Sequence, residues 1–172
     1  MSNPVKKLSV LALLAALALI IFIVEAQFPP PVPVPGVKLG LANTITLFAL
    51  FWRRDDGELA FCAKDAFMIL LCRIILGTLF TGRAVALFYS LTGGILSFTV
   101  QIAMRRFVTA RQIWVLGVTG AVAHNIGQIL AAIFIVGSFA IAAYLPLLII
   151  AGILTGVITG LCAQFAVTRV KI

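Results

Sequence analysis

Apolar runs long enough to cross a bilayer recur along this chain, and basic residues cluster in the gaps between them. A helix needs roughly 17 to 25 residues to cross about 30 Å of hydrocarbon. Six segments approach that length: 8–24, 37–52, 59–80, 84–104, 113–136 and 146–167, with the second short. Of the 172 residues 63% are hydrophobic and 10% charged, more apolar surface than one soluble core of this size can bury. The expected fold is an all-α integral membrane protein, a single membrane domain over 1–172 with six transmembrane helices in contact with the lipid bilayer.

The net charge of +8 would point to nucleic acid in a soluble domain, but its distribution reads as a topology signal, so no nucleic acid partner is implied. Lys6, Lys7, Arg53, Arg54, Arg105, Arg106, Arg111, Arg169 and Lys171 fall on the side of the termini, against Lys38 and Arg83 on the other, with Lys64 and Arg73 inside the third segment. By the positive-inside rule both termini are cytoplasmic in a multi-pass protein of a bacterial-type plasma membrane, and Trp52 and Trp114 fall beside cytoplasmic arginines as interfacial indoles. Lys6 and Lys7 before an apolar run, and Val24-Glu25-Ala26 after it, resemble a signal peptide. The run exceeds the usual apolar core of about 7 to 15 residues, and its removal would upset the charge alternation, so it is expected to be retained. Cys62, Cys72 and Cys162 lack metal-ligand spacing and are expected to be small buried hydrophobes, with no metal, cofactor or disulfide framework implied.

Against this apolar background the polar residues stand out. His124, Asn125 and Gln128 interrupt segment 113–136, and such groups in hydrocarbon are expensive unless they face protein or a watery cavity. His124 and Gln128 share one helix face, and Asn125 lies on the adjoining one. With the topology above, Asn43 lies in the outer half of segment two, and Arg73 roughly 10 Å below the outer end of segment three. Glu25 and Lys38 flank the external mouth. Arg73 carries a permanent charge with no acid within one helical turn, so its partner is an acid elsewhere in the fold, such as Glu25, or an anionic group of a ligand. Lys64 and Asp65 snorkel or pair at the cytoplasmic end. The proline-rich stretch 28–36 forms a stiff connector that either turns the chain or covers an external pocket. The charged turn 53–58 needs no role beyond solvation.

Small residues mark helix contacts. Gly152, Gly156 and Gly160 form a ridge on segment six, and Ala123, Gly127 and Ala131 a comparable stripe on segment five. Ala12 and Ala16, beside Ala15, form an Ala-x-x-x-Ala surface that suits either internal packing or a membrane partner.

Val37-Lys38-Leu39-Gly40-Leu41-Ala42-Asn43 after a proline-rich loop, Leu71-Cys72-Arg73-Ile74-Ile75-Leu76-Gly77, Gly120 through Gln128 and Tyr144-Leu145-Pro146 resemble the Gx transporter family, also labelled heptaprenyl diphosphate synthase component I. The similarity covers nearly the whole chain. That family in turn resembles the substrate-binding S components of energy-coupling factor vitamin transporters, six-helix bundles that bind a micronutrient from outside. The resemblance implies that Ala12 and Ala16 dock a transmembrane coupling subunit, itself joined to ATPase subunits, and that the first external loop gates the site.

The enzyme label requires aspartate-rich motifs that place Mg²⁺ on a diphosphate. Asp55-Asp56-Gly57-Glu58 is followed by Leu59 where a further aspartate is needed, and the Asp-Gly-x-x-Ala-Arg pattern of membrane phosphatidyl-alcohol transferases is not completed either. No G-x-x-x-x-G-K-[ST] loop occurs, so an ATP-driven step belongs to partners. The expected function is capture of a vitamin or small precursor from outside, with Arg73 as the anion or polar contact and Asn43, His124, Asn125 and Gln128 as hydrogen-bonding groups. The alternatives are a membrane accessory subunit of polyprenyl diphosphate synthesis that binds an isoprenoid diphosphate, and a structural protein whose polar residues only join helices.

Overall fold

The computed structural model describes residues 4–29, 38–53, 57–82 and 84–170. Most of the proline-rich connector (30–36), Arg54, Asp55 and Asp56 of the charged turn, Arg83 and Lys171 lie outside the described residues. The elements are α1 (Pro4–Glu25), α2 (Asn43–Phe51), α3 (Ala63–Thr81), α4 (Ala84–Arg105), α5 (Ile113–Val136), a 3₁₀ segment (Phe139–Tyr144) and α6 (Leu145–Arg169). Extended pairing among the described residues is limited to an isolated bridge between Arg53 and Leu59.

Among the described residues, four helical stretches are long and apolar enough to cross a membrane: α1, α4, α5, and α6 with its 3₁₀ lead-in. Large apolar side chains such as Leu79, Phe88, Phe134 and Leu154 stand exposed around the bundle, an arrangement that suits hydrocarbon as the surrounding solvent. α3 matches the third expected segment in position but carries Lys64, Asp65 and Arg73. The second segment differs from the sequence expectation. Its helix has nine residues, about 13 Å at 1.5 Å per residue, and 38–42 enters it as irregular chain. Gly40, at φ 80°, sits in the left-handed region, which interrupts a helix whatever the hydropathy of its neighbours.

The short α2 lies in the core, where Leu47, Leu50 and Phe51 pack with Leu14, Ile69, Leu70, Ile74, Phe98, Ile113 and Leu116. Trp52 at its end is buried as well. Its Nε1 donates to the Val170 carbonyl at 2.7 Å, and its ring lies 4.7 Å from Phe48 and 5.7 Å from Phe61, centroid to centroid. It is therefore a core residue rather than the interfacial indole expected, whereas Trp114 is partly exposed. The three cysteines also depart from expectation, since all are exposed on the bundle surface. Cys72 and Cys162 lie on outward-facing flanks of α3 and α6, and Cys62 caps the start of α3, so their thiols meet the surroundings of the bundle instead of its core.

α5 packs most extensively on α6 and α4. A Cβ on Gly156 would lie 2.5 Å from Val118 Cα, and one on Gly160 2.6 Å from Trp114 Cα. Backbone thus meets backbone along the Gly152–Gly160 ridge of α6. Its counterpart on α5 is the Trp114, Gly117 and Val118 surface, while Gly127 of the other stripe faces α4 at Gly93. At the opposite end from Glu25, Lys7 of α1 pairs with Asp65 of α3 at 2.8 Å.

Candidate functional site

Arg73, His124, Gln128, Asn43 and Glu25 are all buried in this apolar bundle, so each polar group needs a partner. Arg73 Nη2 on α3 donates to Asn43 Oδ1 on α2 at 3.1 Å. That bond settles the sense of the Asn43 amide and turns its Nδ2 toward His124 Nδ1 on α5, 3.3 Å away. A donor facing Nδ1 makes Nδ1 the acceptor, and the neutral imidazole then carries its proton on Nε2. The Gly93 carbonyl also lies near the ring, but a proton on Nδ1 directed there would confront the Asn43 amide N–H. His124 Nε2 donates to Gln128 Oε1 at 3.1 Å, and that oxygen accepts from the Lys38 N–H at 3.2 Å. Gln128 Nε2 donates to the Lys38 carbonyl at 2.9 Å. In the opposite amide sense oxygen would face acceptors and nitrogen donors, so the neighbours assign this orientation. A directional chain runs from Arg73 through Asn43, His124 and Gln128 to the Lys38 backbone.

Two glycines permit this approach. Gly93 on α4 lies so close to α5 that a Cβ there would come 2.8 Å from the His124 carbonyl oxygen. Gly40 combines its left-handed φ with close contact to Asn43 Nδ2 and the His124 ring, at 3.0 and 3.1 Å from an added Cβ. No other residue meets both demands without strain.

Glu25 closes the same region from α1. Its carboxylate accepts from the Gly40 N–H at 2.7 Å and the Leu41 N–H at 3.1 Å. The carbonyls of Gly40 and Leu41 accept from Asn43 and Thr44, so the carboxylate completes the turn that starts α2. Glu25 and Arg73 interact electrostatically through space, but among the described residues they make no direct ion pair. Phe22, one turn before Glu25 on α1, has Lys38 Nζ 3.4 Å from its ring centroid and Arg73 Cζ 5.7 Å. Both cations gain from the ring's negative face. Arg73 Nε has no hydrogen-bond partner.

Of the five candidate residues, four form one network. Asn125 points elsewhere: its Nδ2 donates to the Leu148 carbonyl of α6 at 2.6 Å. A Cβ on Gly152 would crowd that nitrogen at 2.7 Å. Sequence reading missed the Glu25 contact with the α2 turn, the backbone of Lys38 as a partner, and Gln101, which is buried on α4 and reaches the Leu116 carbonyl at 3.5 Å. A lone Gln in an apolar run was the available signal for Gln101. A narrow cavity, with room for about one water molecule, is lined by Gly40, Asn43, Thr44, Leu47, Gln101, Gly117, Ala121 and Thr159.

The family model described as heptaprenyl diphosphate synthase component I matches residues 14–166. The chain belongs to that family. The matched span runs from α1 into the last turns of α6 and takes in every residue of the network. A family described as a component implies partners, and the long apolar helices suggest a bilayer around this one. No curated protein and no solved structure matches the chain.

Proposed function

We propose that this chain is the ligand-capturing membrane subunit of an energy-coupling factor type importer, taking a vitamin or small precursor from outside a bacterial-type plasma membrane. In this reading all six helices form one membrane domain resembling an S component, both termini are cytoplasmic, and coupling and ATPase subunits supply the energy. One observation carries it. The buried chain Arg73–Asn43–His124–Gln128 ends on the backbone of the segment between α1 and α2, so its last bonds are ones a ligand can take over when that segment moves. Polar groups that served only to join helices would end on helices, as Asn125 does on α6. Ala12 and Ala16 are exposed on α1, which suits docking of a coupling subunit.

The test is ligand binding to purified variants. Arg73→Ala and Gln128→Ala should each weaken binding of the molecule that co-purifies with the wild-type protein, by about 1 to 3 kcal/mol per lost contact, with Arg73 the larger effect. Wild-type affinity in the folded fraction of both variants would refute the reading. The family description favours a second one, a non-catalytic membrane accessory subunit of polyprenyl diphosphate synthesis, in which Arg73 and Lys38 face a diphosphate. Native mass spectrometry separates the two by whether a small polar molecule or an isoprenoid diphosphate co-purifies.

A further inference from the structure

Glu25 occupies a place that looks built for an exchangeable anion. Its two oxygens lie on two successive N–H groups at 2.7 and 3.1 Å, the geometry that suits a planar, two-oxygen acceptor. Those N–H groups belong to the Gly40 turn, whose left-handed residue directs successive amides the same way, as in anion-binding nests. Two cations, Arg73 and Lys38, act electrostatically on this carboxylate. The buried Arg73 Nε, still without a partner, is an independent sign that the site is incomplete. Gly40, whose N–H holds the carboxylate, also lines the narrow cavity together with Asn43. Glu25 itself is the last residue of α1, so unwinding the terminal turn is enough to withdraw its side chain.

We infer that the Gly40 and Leu41 N–H pair is the carboxylate subsite of the ligand pocket, that Glu25 fills it in the ligand-free protein, and that a carboxylate-bearing small molecule displaces Glu25 on binding. This rests on the capture reading and names the ligand's chemical class. Exchange of one carboxylate for another leaves the charge beside Arg73 and Lys38 unchanged, whereas a diphosphate adds negative charge that a low-dielectric site must compensate.

The experiment uses the full-length protein in detergent, with Glu25→Ala and Glu25→Gln, and acetate, inorganic diphosphate and chloride as probes at matched ionic strength. Acetate should raise the unfolding midpoint of Glu25→Ala by several degrees, leave the wild type unchanged, and lose its effect when Arg73→Gln is added. Acetate acting no better than chloride, or diphosphate acting better than acetate, overturns the subsite. Glu25→Gln keeps the shape and one acceptor, and is the measure should Glu25→Ala not fold. Its occupancy by a co-purified carboxylate, read by native mass spectrometry, should rise about tenfold over the wild type once the charged competitor is gone. A co-purified ligand without a carboxylate, at unchanged occupancy in Glu25→Gln, overturns the subsite and leaves capture standing. Acetate rescue with no co-purified molecule in any variant, and no effect of Arg73→Ala on uptake, overturns capture and the ligand role of the subsite together.

Discussion

Gln128 on α5 holds both backbone polar groups of Lys38, accepting from its N–H at 3.2 Å and donating to its carbonyl at 2.9 Å. A single amide thus pins a segment 90 residues away to the middle of the bundle. Gln128→Leu removes both bonds to the Lys38 backbone. Amide hydrogen exchange over 38–41 should accelerate, and stability should fall by about 1 to 3 kcal/mol. Unchanged protection in that segment would show that something else holds it.

His124 is expected in one neutral tautomer with its proton on Nε2, because Asn43 donates to Nδ1 and Gln128 accepts from Nε2. Nitrogen NMR of histidine-labelled protein reads this directly. A protonated Nδ1 with a bare Nε2 would mean that the Asn43 amide is reversed and the chain from Arg73 interrupted.

Gly156→Ala should lower stability by about 1 to 3 kcal/mol, since the added methyl meets the Val118 backbone and backbone has nowhere to retreat. Gly137→Asn should stay close to wild type. Its φ of 71° is one that Asn tolerates, and no atom lies within 4 Å of an added Cβ. Thermal unfolding in detergent compares the two, and equal losses would contradict the packing of α5 on α6.

Replacing Ala12 and Ala16 together by Leu should leave the isolated protein folded, as both are exposed on α1. Co-purification with an energising complex should be lost, because leucine prevents close helix approach. A double variant that retains the complex removes α1 as the docking surface.

In a variant without Cys62, Cys72 and Cys162, single cysteines at Gly36 and Gly137 should react with an impermeant thiol reagent in intact cells, and one at Asp56 should not. The reverse pattern would invert the topology and turn the proposed pocket toward the cytoplasm.

Hydropathy alone located five of the six helices to within a few residues, since an apolar run of that length has few stable alternatives in a membrane. It failed at α2. Val37 to Trp52 is apolar enough to be a span, but hydropathy measures solvent preference and carries nothing about the left-handed Gly40 or the carboxylate from α1 that caps the turn. Residue chemistry singled out Arg73, Asn43, His124, Asn125 and Gln128, because charge, imidazole and amides in hydrocarbon demand an explanation wherever the chain goes. It could not divide His124 from Asn125. Adjacent residues on a helix point about 100° apart, and whether each direction meets α2 and α4 or α6 depends on how the helices pack, through Gly93 on one side and Gly152 on the other. Glu25 was legible as an example of an acid that could pair with Arg73, but the hydrogen-bond partners of its carboxylate are two backbone amides. Backbone groups are the same at every position, so no residue type advertises them, and only folding brings a particular pair within reach of a particular carboxylate.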